Sequence, residues 1–577
     1  MTKELNIETI RHSLSHVLAA AVLKMFPKAK LGIGPAIKNG FYYDFDLPRT
    51  LIPEDLPLLE EKMRKIIAKD LKFEKVEIPG SEAIKKFNKA DQEYKTELIK
   101  DLESEGEKSI STYRTDNFTD LCKGPHVDST ADLKNIAFKL DKIAGAYWRG
   151  DEKNKMLQRI YGLAFETKEE LDKYQKQIIE AEKRDHRKLG AELDLFSFHE
   201  EGPGFVFWHQ KGMIIWNTLL DWWRKEHEEA GYQETKTPII LSRDLWEKSG
   251  HWDHYKDNMY FTKIDDRDFA VKPMNCPGGI LLYKEKLHSY RELPIRAGEI
   301  GLVHRHELAG VLHGLLRVRA FHQDDAHIFC LPEQIEDEII SVIDLTDKMY
   351  KHLGLKYHLE LSTRPKEGSI GSDEEWQKAE KALKSALEEK DVEYKLNPGD
   401  GAFYGPKIDF HIEDAIGRRW QTGTIQLDFT MPERFELEYV AESGDKKRPV
   451  MIHRVIFGSV ERFIGILLEH FAGALPIWLA PVQAIVLPIS DKHISYAQQI
   501  SDKLKDEKIR AQVDDRTESI GRKIREAEMQ KIPYMLIIGD KEIDSKKVAI
   551  RRYGKGDQGQ VELRELIKKI NAEQKAN

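Results

Sequence analysis

Residues 299–330 constrain the fold more than any other stretch of the chain. Two segments within them, GLVHRHE and LLRVRAFHQDDAHIF, alternate apolar and polar side chains, and the intervening LAGVLHG contains two glycines. This period-two alternation predicts a β-hairpin or a longer strand-loop-strand unit. On alternating strands, Arg305 and Glu307 lie on one face, as do Arg317 and Arg319.

These side chains suit a nucleotide ligand. An arginine can bind a phosphate through two parallel N–H bonds, and a carboxylate can accept a hydrogen bond from an amine or a hydroxyl. A solvated sheet face with cross-strand charge pairs gives the same pattern, and it is the favoured interpretation for any single arginine. For the whole set, nucleotide binding is favoured.

Length and charge predict several domains. A chain of 577 residues is too long for one core, so about three or four domains are expected. The net charge of -8 alone argues against a nucleic-acid partner. From Pro481 to the end, however, 20 basic residues stand against 16 acidic ones, which predicts a mildly basic C-terminal module on an acidic body. That module is compatible with RNA contact.

Cysteine usage and the N-terminus predict a cytoplasmic protein without a membrane span. Cys122, Cys276 and Cys330 are too few and too scattered for a disulfide framework, and MTKELNIETIRH has no apolar signal-peptide core. The longest uncharged run, residues 470–490, contains three prolines and is interpreted as a helix end followed by a buried strand.

Three motifs and four further segments carry a resemblance to a known family. Arg305, Glu307, Arg317 and Phe321 resemble motif 2 of class II aminoacyl-tRNA synthetases. GSVERFIG resembles the motif 3 helix, and KTPII at 236–240 resembles the motif 1 strand with its proline. The segments MNCPGG, HRHE, RVRAFHQDDAHIF and WQTGTIQLDF narrow the resemblance to the threonyl-tRNA synthetase family, and it runs from the first residues nearly to the last.

The resemblance implies an α+β multidomain fold. We expect an α+β editing domain at 1–166, a charged linker helix at 167–193, an antiparallel-sheet catalytic domain at 194–480 and an α/β anticodon-binding domain at 481–577. Bacterial members usually carry a ubiquitin-like domain ahead of the editing domain. This sequence starts at the editing domain, and it leaves open whether the module is naturally lacking or was cut.

The resemblance also implies how ATP is held. Arg305 is expected at the α-phosphate, Glu307 at the adenine end, and Phe321 and Arg462 on either side of the base. Arg317 assists with phosphates, and Mg2+ bridges phosphate oxygens. Further positions match the ATP side and the tRNA end, namely Gln421 and Ser459 for the former and His251 for the latter.

Cys276, His327 and His453 match the zinc ligands of the family. From spacing alone, each of them is more simply a buried core residue. A three-ligand zinc site leaves an open coordination position, to which the amino and hydroxyl groups of threonine can both bind, so valine is rejected. Other positions match the threonine pocket, namely Gln323, Asp325, Tyr404 and Gln426.

The N-terminal part contains two pairs of candidate ligands. His12 and His16 lie four residues apart on a helix predicted from near Glu8 to before Pro27, and Cys122 and His126 are also four apart. From spacing alone, the histidine pair is more simply a pair of surface or core residues, and with the second pair added a metal or catalytic site is about as well favoured as that interpretation. The resemblance implies that these residues, with Lys95 and Asp120, hydrolyse mischarged seryl-tRNA, and a bound metal is not assured.

The partners follow from the same resemblance. They are tRNA(Thr), ATP, L-threonine and a second copy of the chain, which pairs through the catalytic domain. Three residues match positions that read the anticodon, namely Arg525, Glu542 and Arg551.

Two alternatives to a threonine-specific ligase are weighed. A synthetase-derived regulatory protein without ligase activity typically loses motif arginines or metal ligands, and Arg305, Arg462 and the three ligands are retained here. A class II ligase for serine, proline or alanine is disfavoured by the cysteine and the two histidines.

Overall fold

The computed structural model describes residues 6–575 and divides the chain into two compact units, one up to Ile179 and one from Glu180 onward. The helices of the first unit are α1 Ile7–Met25, α2 Asp55–Ile67, α3 Gly80–Lys89 and α4 Glu93–Ser104, and α5 Lys168–Arg184 continues into the second. Its strands are β1 Lys30–Leu31, β2 Ala36–Ile37, β3 Gly40–Asp46, β4 Glu74–Pro79, β5 Ser109–Thr115, β6 Phe118–Leu121, β7 Ala137–Tyr147 and β8 Met156–Phe165.

The first unit is built on two antiparallel sheets. One has the order β1-β3-β8-β7 with β2 beside β3, and the other is β4-β5-β6. Helix α1 starts where the Asn6 side chain accepts the N–H of Glu8 at 2.9 Å, and it ends before Pro27, as the sequence predicts. The largest apolar core of this unit includes Leu14 and Leu18 of α1 and Phe41 and Phe45 of β3.

The charged segment 167–193 is not one exposed helix, and that prediction is wrong. Asp185 interrupts it, because its side chain accepts the N–H of Arg187 at 2.8 Å and starts a second helix, α6 His186–Glu192. The new helix buries His186 and Leu189. A capping aspartate inside a charged run therefore separates an exposed helix from a packed one.

The part of the second unit up to residue 480 contains many short elements. Its helices are α7 Gln210–Glu229, α8 Arg243–Lys248, α9 His251–Tyr255, α10 Cys276–Lys284, α11 Ile335–His352, α12 Asp373–Glu389, α13 Thr430–Arg434 and α14 Val460–His470. Its strands are β9 Phe196–Ser197, β10 Phe207–Trp208, β11 Gln233–Glu234, β12 Ile240–Ser242, β13 Tyr260–Ile264, β14 Arg267–Val271, β15 His288–Ser289, β16 Ile295–His304, β17 Ala320–Cys330, β18 Lys356–Ser362, β19 Tyr394–Asn397, β20 Lys407–Glu413, β21 Arg419–Asp428, β22 Tyr439–Val440, β23 Lys446–Lys447 and β24 Val450–Val455.

An eight-stranded sheet in the order β11-β16-β17-β24-β21-β20-β18-β19 forms its centre. The five pairings between β16 and β18 are antiparallel, as predicted, and only the two outer pairings are parallel. On β17, Ala326 and Ile328 enter the main core, whereas Phe329 packs in a different cluster that contains Cys276. One strand therefore supplies a core face and a polar face.

The strand-loop-strand prediction for residues 299–330 is confirmed, but the strands are shorter than the alternation predicts. Strand β16 ends at His304 and β17 begins at Ala320, so Arg305, Glu307 and Arg317 lie in the connecting loop. The loop contains two short 3-10 turns. Alternation inside a loop does not place side chains on one strand face, and that part of the prediction is wrong.

Other predicted elements agree with the structure. Helix α7 ends beside Gly231, whose φ of +78° is the left-handed conformation that glycine adopts at helix ends. The motif 3 helix is α14, which begins after Ser459. The motif 1 strand predicted at KTPII does not agree with the structure, because only Ile240 of that segment lies in the strand β12.

The C-terminal module combines helices with one five-stranded sheet. Its strands are β25 Ala484–Pro488, β26 Ala511–Val513, β27 Tyr534–Ile538, β28 Lys547–Arg552 and β29 Gly556–Glu562, and its helices are α15 Ile494–Asp506, α16 Ile520–Met529, α17 Asp540–Ser545 and α18 Leu563–Lys575. Strands β26, β25 and β27 are parallel, whereas β28 and β29 are antiparallel. The sheet is thus mixed rather than largely parallel, because a tight turn through Gly554 and Gly556 adds a hairpin.

Residues 470–490 form the end of α14 and the buried strand β25, as predicted. No helix within residues 6–575 is long and apolar enough to cross a membrane.

The two-faced strand β17 gives a stability prediction. Replacing the fully buried Ile328 by Ala should destabilise the second unit by about 2–5 kcal/mol, because the cavity left behind loses packing contacts. A lower midpoint of urea unfolding would report the effect. Leu287→Ala, at a side chain 53% exposed, is the control. Equal midpoints for both variants would contradict the assigned core face.

Candidate functional site

A cavity of about 420 Å3 lies at the loop between β16 and β17, next to the start of α14. All seven residues that the sequence predicts for ATP line it, namely Arg305, Glu307, Arg317, Phe321, Gln421, Ser459 and Arg462. Arg317 Nη2 lies 2.9 Å from Glu307 Oε2, and the Arg305 guanidinium lies 5.1 Å from the centre of the Phe321 ring. The loop between β16 and β17 therefore brings these charged side chains together, although the alternation pattern predicted that they lie on strands.

Arg462 is the positive group best placed to receive an anion. Its Nε atom is buried without a hydrogen-bond partner among the described residues. Burial, and then the nearby charge of Arg317, lower the pKa of Arg462 from its usual value. An anionic ligand would offset both the burial of the Arg462 charge and its repulsion by Arg317. It would neutralise the two guanidinium groups and accept a hydrogen bond from the free Nε–H.

Asp324 holds this cavity together, and the sequence interpretation missed it. The Asp324 carboxylate accepts the backbone N–H groups of Ile456, Phe457 and Gly458 at 3.0 Å, and the indole N–H of Trp223 at 3.3 Å. Burial raises its pKa to about 6. One side chain thus ties α7, β17 and the loop before α14. The sequence shows two adjacent aspartates in QDDAH, but only the strand register shows which of the two faces the core.

A second cavity of about 170 Å3 adjoins the first. It contains the four side chains predicted for the amino acid, namely Gln323, Asp325, Tyr404 and Gln426. The two cavities share Arg305 and Gln323. The Tyr404 hydroxyl donates a short hydrogen bond to Gln426, and Asn275 Nδ2 donates to Asp325 Oδ2 at 3.3 Å. A small polar molecule in the second cavity would meet a nucleotide phosphate beside Arg305.

Cys276, His327 and His453 converge at the wall of the second cavity. One candidate ligand atom from each residue lies within 4.8 Å of the others, and all three residues are buried. His327 on β17 pairs with His453 on β24, and Cys276 is the first residue of α10. Gly279 permits this approach, since a Cβ there would lie 2.9 Å from His327 Nδ1.

The protonation pattern of these residues suits a metal ion. His453 Nε2 lies 2.9 Å from Asp428 Oδ2, and because an ionised carboxylate can only accept, Nε2 is the donor and Nδ1 is left as a ligand atom. His327 Nε2 is buried without a hydrogen-bond partner among the described residues. Burial raises the pKa of Cys276 and lowers that of His327. A divalent cation would stabilise the thiolate and use the unpaired nitrogen.

His251, predicted near the tRNA end, lies beside this cluster. Its Nε2 is 3.0 Å from Met274 Sδ and 3.9 Å from Cys276 Sγ. Its Nδ1 is 2.8 Å from Ser249 Oγ. The ring is fully buried, so the structure places it against the thiol rather than at an exposed surface.

The first unit contains a second cluster, of four residues, whose candidate ligand atoms lie within 4.8 Å of one another, namely His12, His16, Cys122 and His126. His12 Nδ1 lies 3.1 Å from the carbonyl of Pro125, which can only accept, so its Nε2 presents a lone pair. That atom and His126 Nε2 each lie 3.3 Å from Cys122 Sγ. His126 Nδ1 donates to Ser13 Oγ, whose own proton goes to a backbone carbonyl, so His126 Nε2 also presents a lone pair and one thiol proton cannot satisfy both nitrogens. The cluster can therefore hold a metal ion or a water molecule.

Lys95 and Asp120 flank this cluster. Lys95 Nζ lies 2.6 Å from Asp120 Oδ1, Tyr43 donates to Asp120 Oδ2 at 2.5 Å, and His16 Nε2 lies 3.7 Å from Oδ2. Lys95 and Asp120 are both buried. The six predicted residues are thus assembled from α1, α4 and the segment that follows β5.

The three residues predicted to read an anticodon have separate local surroundings. Arg525 is exposed on α16, and Arg551 Nε donates to Glu528 Oε1 at 3.2 Å. Glu542 is buried and accepts the N–H of Gly539 at 2.9 Å at the start of α17. Their role in reading tRNA stays a prediction.

Three family models match parts of the chain. Residues 260–471 match the tRNA synthetase class II core domain (G, H, P, S and T), and residues 483–573 match an anticodon binding domain. Residues 110–161 match the threonyl and alanyl tRNA synthetase second additional domain. The first covers every residue that lines the two cavities, and the third includes Cys122 and His126.

Whole-length relatives share more than half of the residues. The chain is 62% identical over 566 residues to threonine–tRNA ligase of Carboxydothermus hydrogenoformans and 61% identical over 563 residues to that of Acetivibrio thermocellus. Each alignment covers 98% of this chain and 88% of the relative. The crystal structure of the RNA binding domain of threonyl-tRNA synthetase from Cryptosporidium parvum Iowa II has a TM-score of 0.65 at 46% identity, and the match covers 67% of this chain and 98% of that one.

The Cys122 thiol gives a prediction that needs no substrate. Burial raises its pKa to about 11, so at pH 8 only about one thiol in a thousand is a nucleophilic thiolate. Iodoacetamide should label Cys122 much more slowly in chelator-treated native protein than in guanidinium-unfolded protein, as measured by peptide mass spectrometry. Equal labelling rates would contradict the buried cluster.

Proposed function

The chain belongs to the threonine–tRNA ligase family, and from that premise we propose that it joins L-threonine to tRNA(Thr) with ATP and hydrolyses mischarged seryl-tRNA(Thr). The observation that carries the proposal is the pair of adjoining cavities, one lined by arginines and one beside a cysteine and two histidines. The proposed domains keep the bounds predicted from the sequence, with two helices rather than one in the segment 167–193, and we propose that the protein acts in the cytoplasm.

Arg305 is proposed to bring the two substrates together. The activation step joins a carboxylate to the α-phosphate of ATP, so two anions must approach each other. Arg305 lines both cavities and can neutralise charge at their junction. Arg462 and Arg317 add positive charge on the nucleotide side, while Glu307 and Phe321 hold the base. Class II synthetases use Mg2+ with ATP, and the ion neutralises further phosphate charge.

Threonine is proposed to be selected at Cys276, His327 and His453, which would hold one zinc ion. A zinc ion held by these three residues would supply Lewis-acid binding of the amino and hydroxyl groups of threonine. Asp325 is placed to accept the proton of the bound hydroxyl, and Tyr404 and Gln426 close the 170 Å3 cavity around a small side chain. Valine is excluded because it cannot replace the hydroxyl contact.

Serine passes this selection, and the first unit is proposed to correct the error. Serine keeps both polar groups and lacks one methyl, which is worth only about 1 kcal/mol. His12, His16, Cys122 and His126 are proposed to bind the mischarged end and position a water molecule, while Lys95 and Asp120 set the local charge. Zinc in this second cluster is not part of the proposal.

The tRNA and a second protomer complete the proposed assembly. The C-terminal module is proposed to read the anticodon with Arg525, Glu542 and Arg551. The homodimer is proposed to form through the catalytic part.

The proposed zinc site predicts a fixed metal content. Wild-type protein should contain one zinc per chain at the second cavity, measured by elemental analysis after exhaustive dialysis. Cys276→Ser should lose this zinc and lower threonine-dependent ATP–pyrophosphate exchange by more than about a hundredfold, as expected when a metal ligand is removed.

Cys330→Ser is the matched control, because Cys330 is also a buried free thiol of the second unit and lies outside the cluster. It should keep its zinc and its exchange activity. A wild-type protein free of zinc would refute the site, and exchange without dependence on threonine would refute the proposed substrate.

The proposed editing site predicts a change in product rather than in rate. His16→Ala and Cys122→Ala should let seryl-tRNA(Thr) accumulate while threonylation continues, because the two cavities of the second unit are unchanged. Acid-gel separation of charged tRNA measures both products, with Cys330→Ala as the control. If neither variant accumulates seryl-tRNA, the editing assignment is wrong.

A further inference from the structure

His186 is a fully buried histidine that belongs to none of the sites above. Its Nε2 accepts the backbone N–H of Leu315 at 2.9 Å, and its Nδ1 lies 2.6 Å from Glu469 Oε1. Because a backbone N–H can only donate, Nε2 carries no proton, and Nδ1 donates its proton to the carboxylate. The ring is therefore a neutral bridge with both nitrogens in use.

The same residues come close enough to be considered a metal site. Candidate ligand atoms of Asp185, His186 and Glu469 lie within 4.8 Å of one another. A metal ion would have to displace either the Leu315 or the Glu469 hydrogen bond, both of which have good geometry. The cluster is better explained as a structural joint, which here means the pair of hydrogen bonds by which His186 connects Leu315 to Glu469.

The joint connects two walls of the nucleotide cavity. Leu315 and Leu316 line that cavity in the 3-10 turn Gly314–Leu316, and Arg317 follows them directly. Glu469 lies near the end of α14, whose first turn carries Arg462. His186 therefore links the segment that presents Arg317 to the helix that presents Arg462.

Two glycines allow the turn to pack this closely. Gly314 has a φ of +50°, and a Cβ at that position would lie 2.2 Å from His186 Nε2. A Cβ at Gly465 of α14 would lie 3.1 Å from Leu315 Cβ. The turn is thus held against both the histidine and the helix with no room for an added methyl group.

The carboxylate end of the bridge is also held in place. Arg418 Nη2 donates to Glu469 Oε2 at 2.5 Å, and Arg418 Nε donates to Asp414 Oδ2 at 2.7 Å. Glu469 therefore has an acceptor atom for each neighbour and little freedom to follow a displaced His186.

We propose that His186 is a positioning residue for ATP, which sets the separation of Arg317 and Arg462 across the nucleotide cavity. The inference rests on the proposed function, because it names what holds the proposed ATP-binding arginines. His186 itself does not line the cavity and touches no substrate. Removal of the imidazole leaves the Leu315 N–H without its partner and leaves Glu469 Oε1 with only the backbone N–H of His186, so the turn loses its link to α14 through this side chain.

The test compares His186→Ala and His186→Gln with the wild-type protein. The primary measurement is equilibrium binding of a non-hydrolysable ATP analogue by calorimetry, which requires no threonine. His186→Ala should weaken analogue binding by about tenfold, as expected for buried groups that lose a hydrogen bond. His186→Gln keeps an acceptor for the Leu315 N–H and should recover part of the affinity.

Kinetics separate positioning from a general loss of structure. In threonine-dependent pyrophosphate exchange, the KM for ATP should rise about tenfold in His186→Ala, and the KM for threonine should stay within about twofold. His493→Gln is the control, because His493 is also a buried histidine that contacts a carboxylate, Asp540, in the C-terminal module. It should lower the unfolding temperature without changing either KM.

Unchanged analogue affinity in both His186 variants would overturn the inference, as would equal increases in the two KM values. If His186→Ala does not fold, His186→Gln decides between these results. If the wild-type protein showed no threonine-dependent exchange, the proposed function would be refuted. Analogue binding by the variants would still show separately whether His186 positions the residues of the nucleotide cavity.

Discussion

The antiparallel register of β17, β24 and β21 is the constraint on which both cavities of the second unit depend. His327 lies opposite His453, and His453 lies opposite Gln426. Because side chains alternate between faces, a shift of one residue would turn these groups into the core and bring Ala326 and Ile328 to the cavity. The packing of the apolar face of these strands in the core therefore determines which side chains of the opposite face lie at the cavities.

Hydrogen bonds of buried polar groups hold the strands and the adjoining loop in one arrangement, which apolar packing alone would not specify. Asp324 is fully buried, which would be costly for an unpaired carboxylate, but three backbone N–H groups and an indole N–H surround it. Asp409 similarly accepts hydrogen bonds from Gln421 Nε2 at 2.7 Å and Thr424 Oγ1 at 3.0 Å on the neighbouring strand. The loop before α14 and the first turn of that helix, which carry Ser459 and Arg462, are thus held by hydrogen bonds as well as by packing.

The sequence predicted the chemistry of the site better than its local geometry. Helices α1, α7 and α14 were predictable because each has a strong periodic pattern and an end signal, such as Gly231 after α7. The loop that carries Arg305 and Arg317 was assigned to strands, because its alternation continues beyond the point where pairing stops. Motif resemblance placed these residues correctly in one cavity, although the strand argument did not.

Other features depend on contacts between distant parts of the chain. Nothing local distinguishes Asp324 from Asp325, yet their adjacent strand positions send one to the core and the other to the cavity. The capping role of Asp185 and the burial of His186 were hidden within a charged segment whose composition is typical of an exposed helix. The hairpin β28–β29 depends on Gly554 and Gly556, and its antiparallel pairing made the C-terminal sheet mixed.

The central claim is that Cys276, His327 and His453 recognise the amino acid through a shared zinc ion. X-ray absorption at the zinc edge tests it most directly, on the protein alone and with L-threonine or L-valine added. The account predicts one sulfur and two imidazole nitrogen ligands, and a spectrum that changes with threonine but not with valine. The absence of a zinc edge, or the same spectrum with both amino acids, would contradict it.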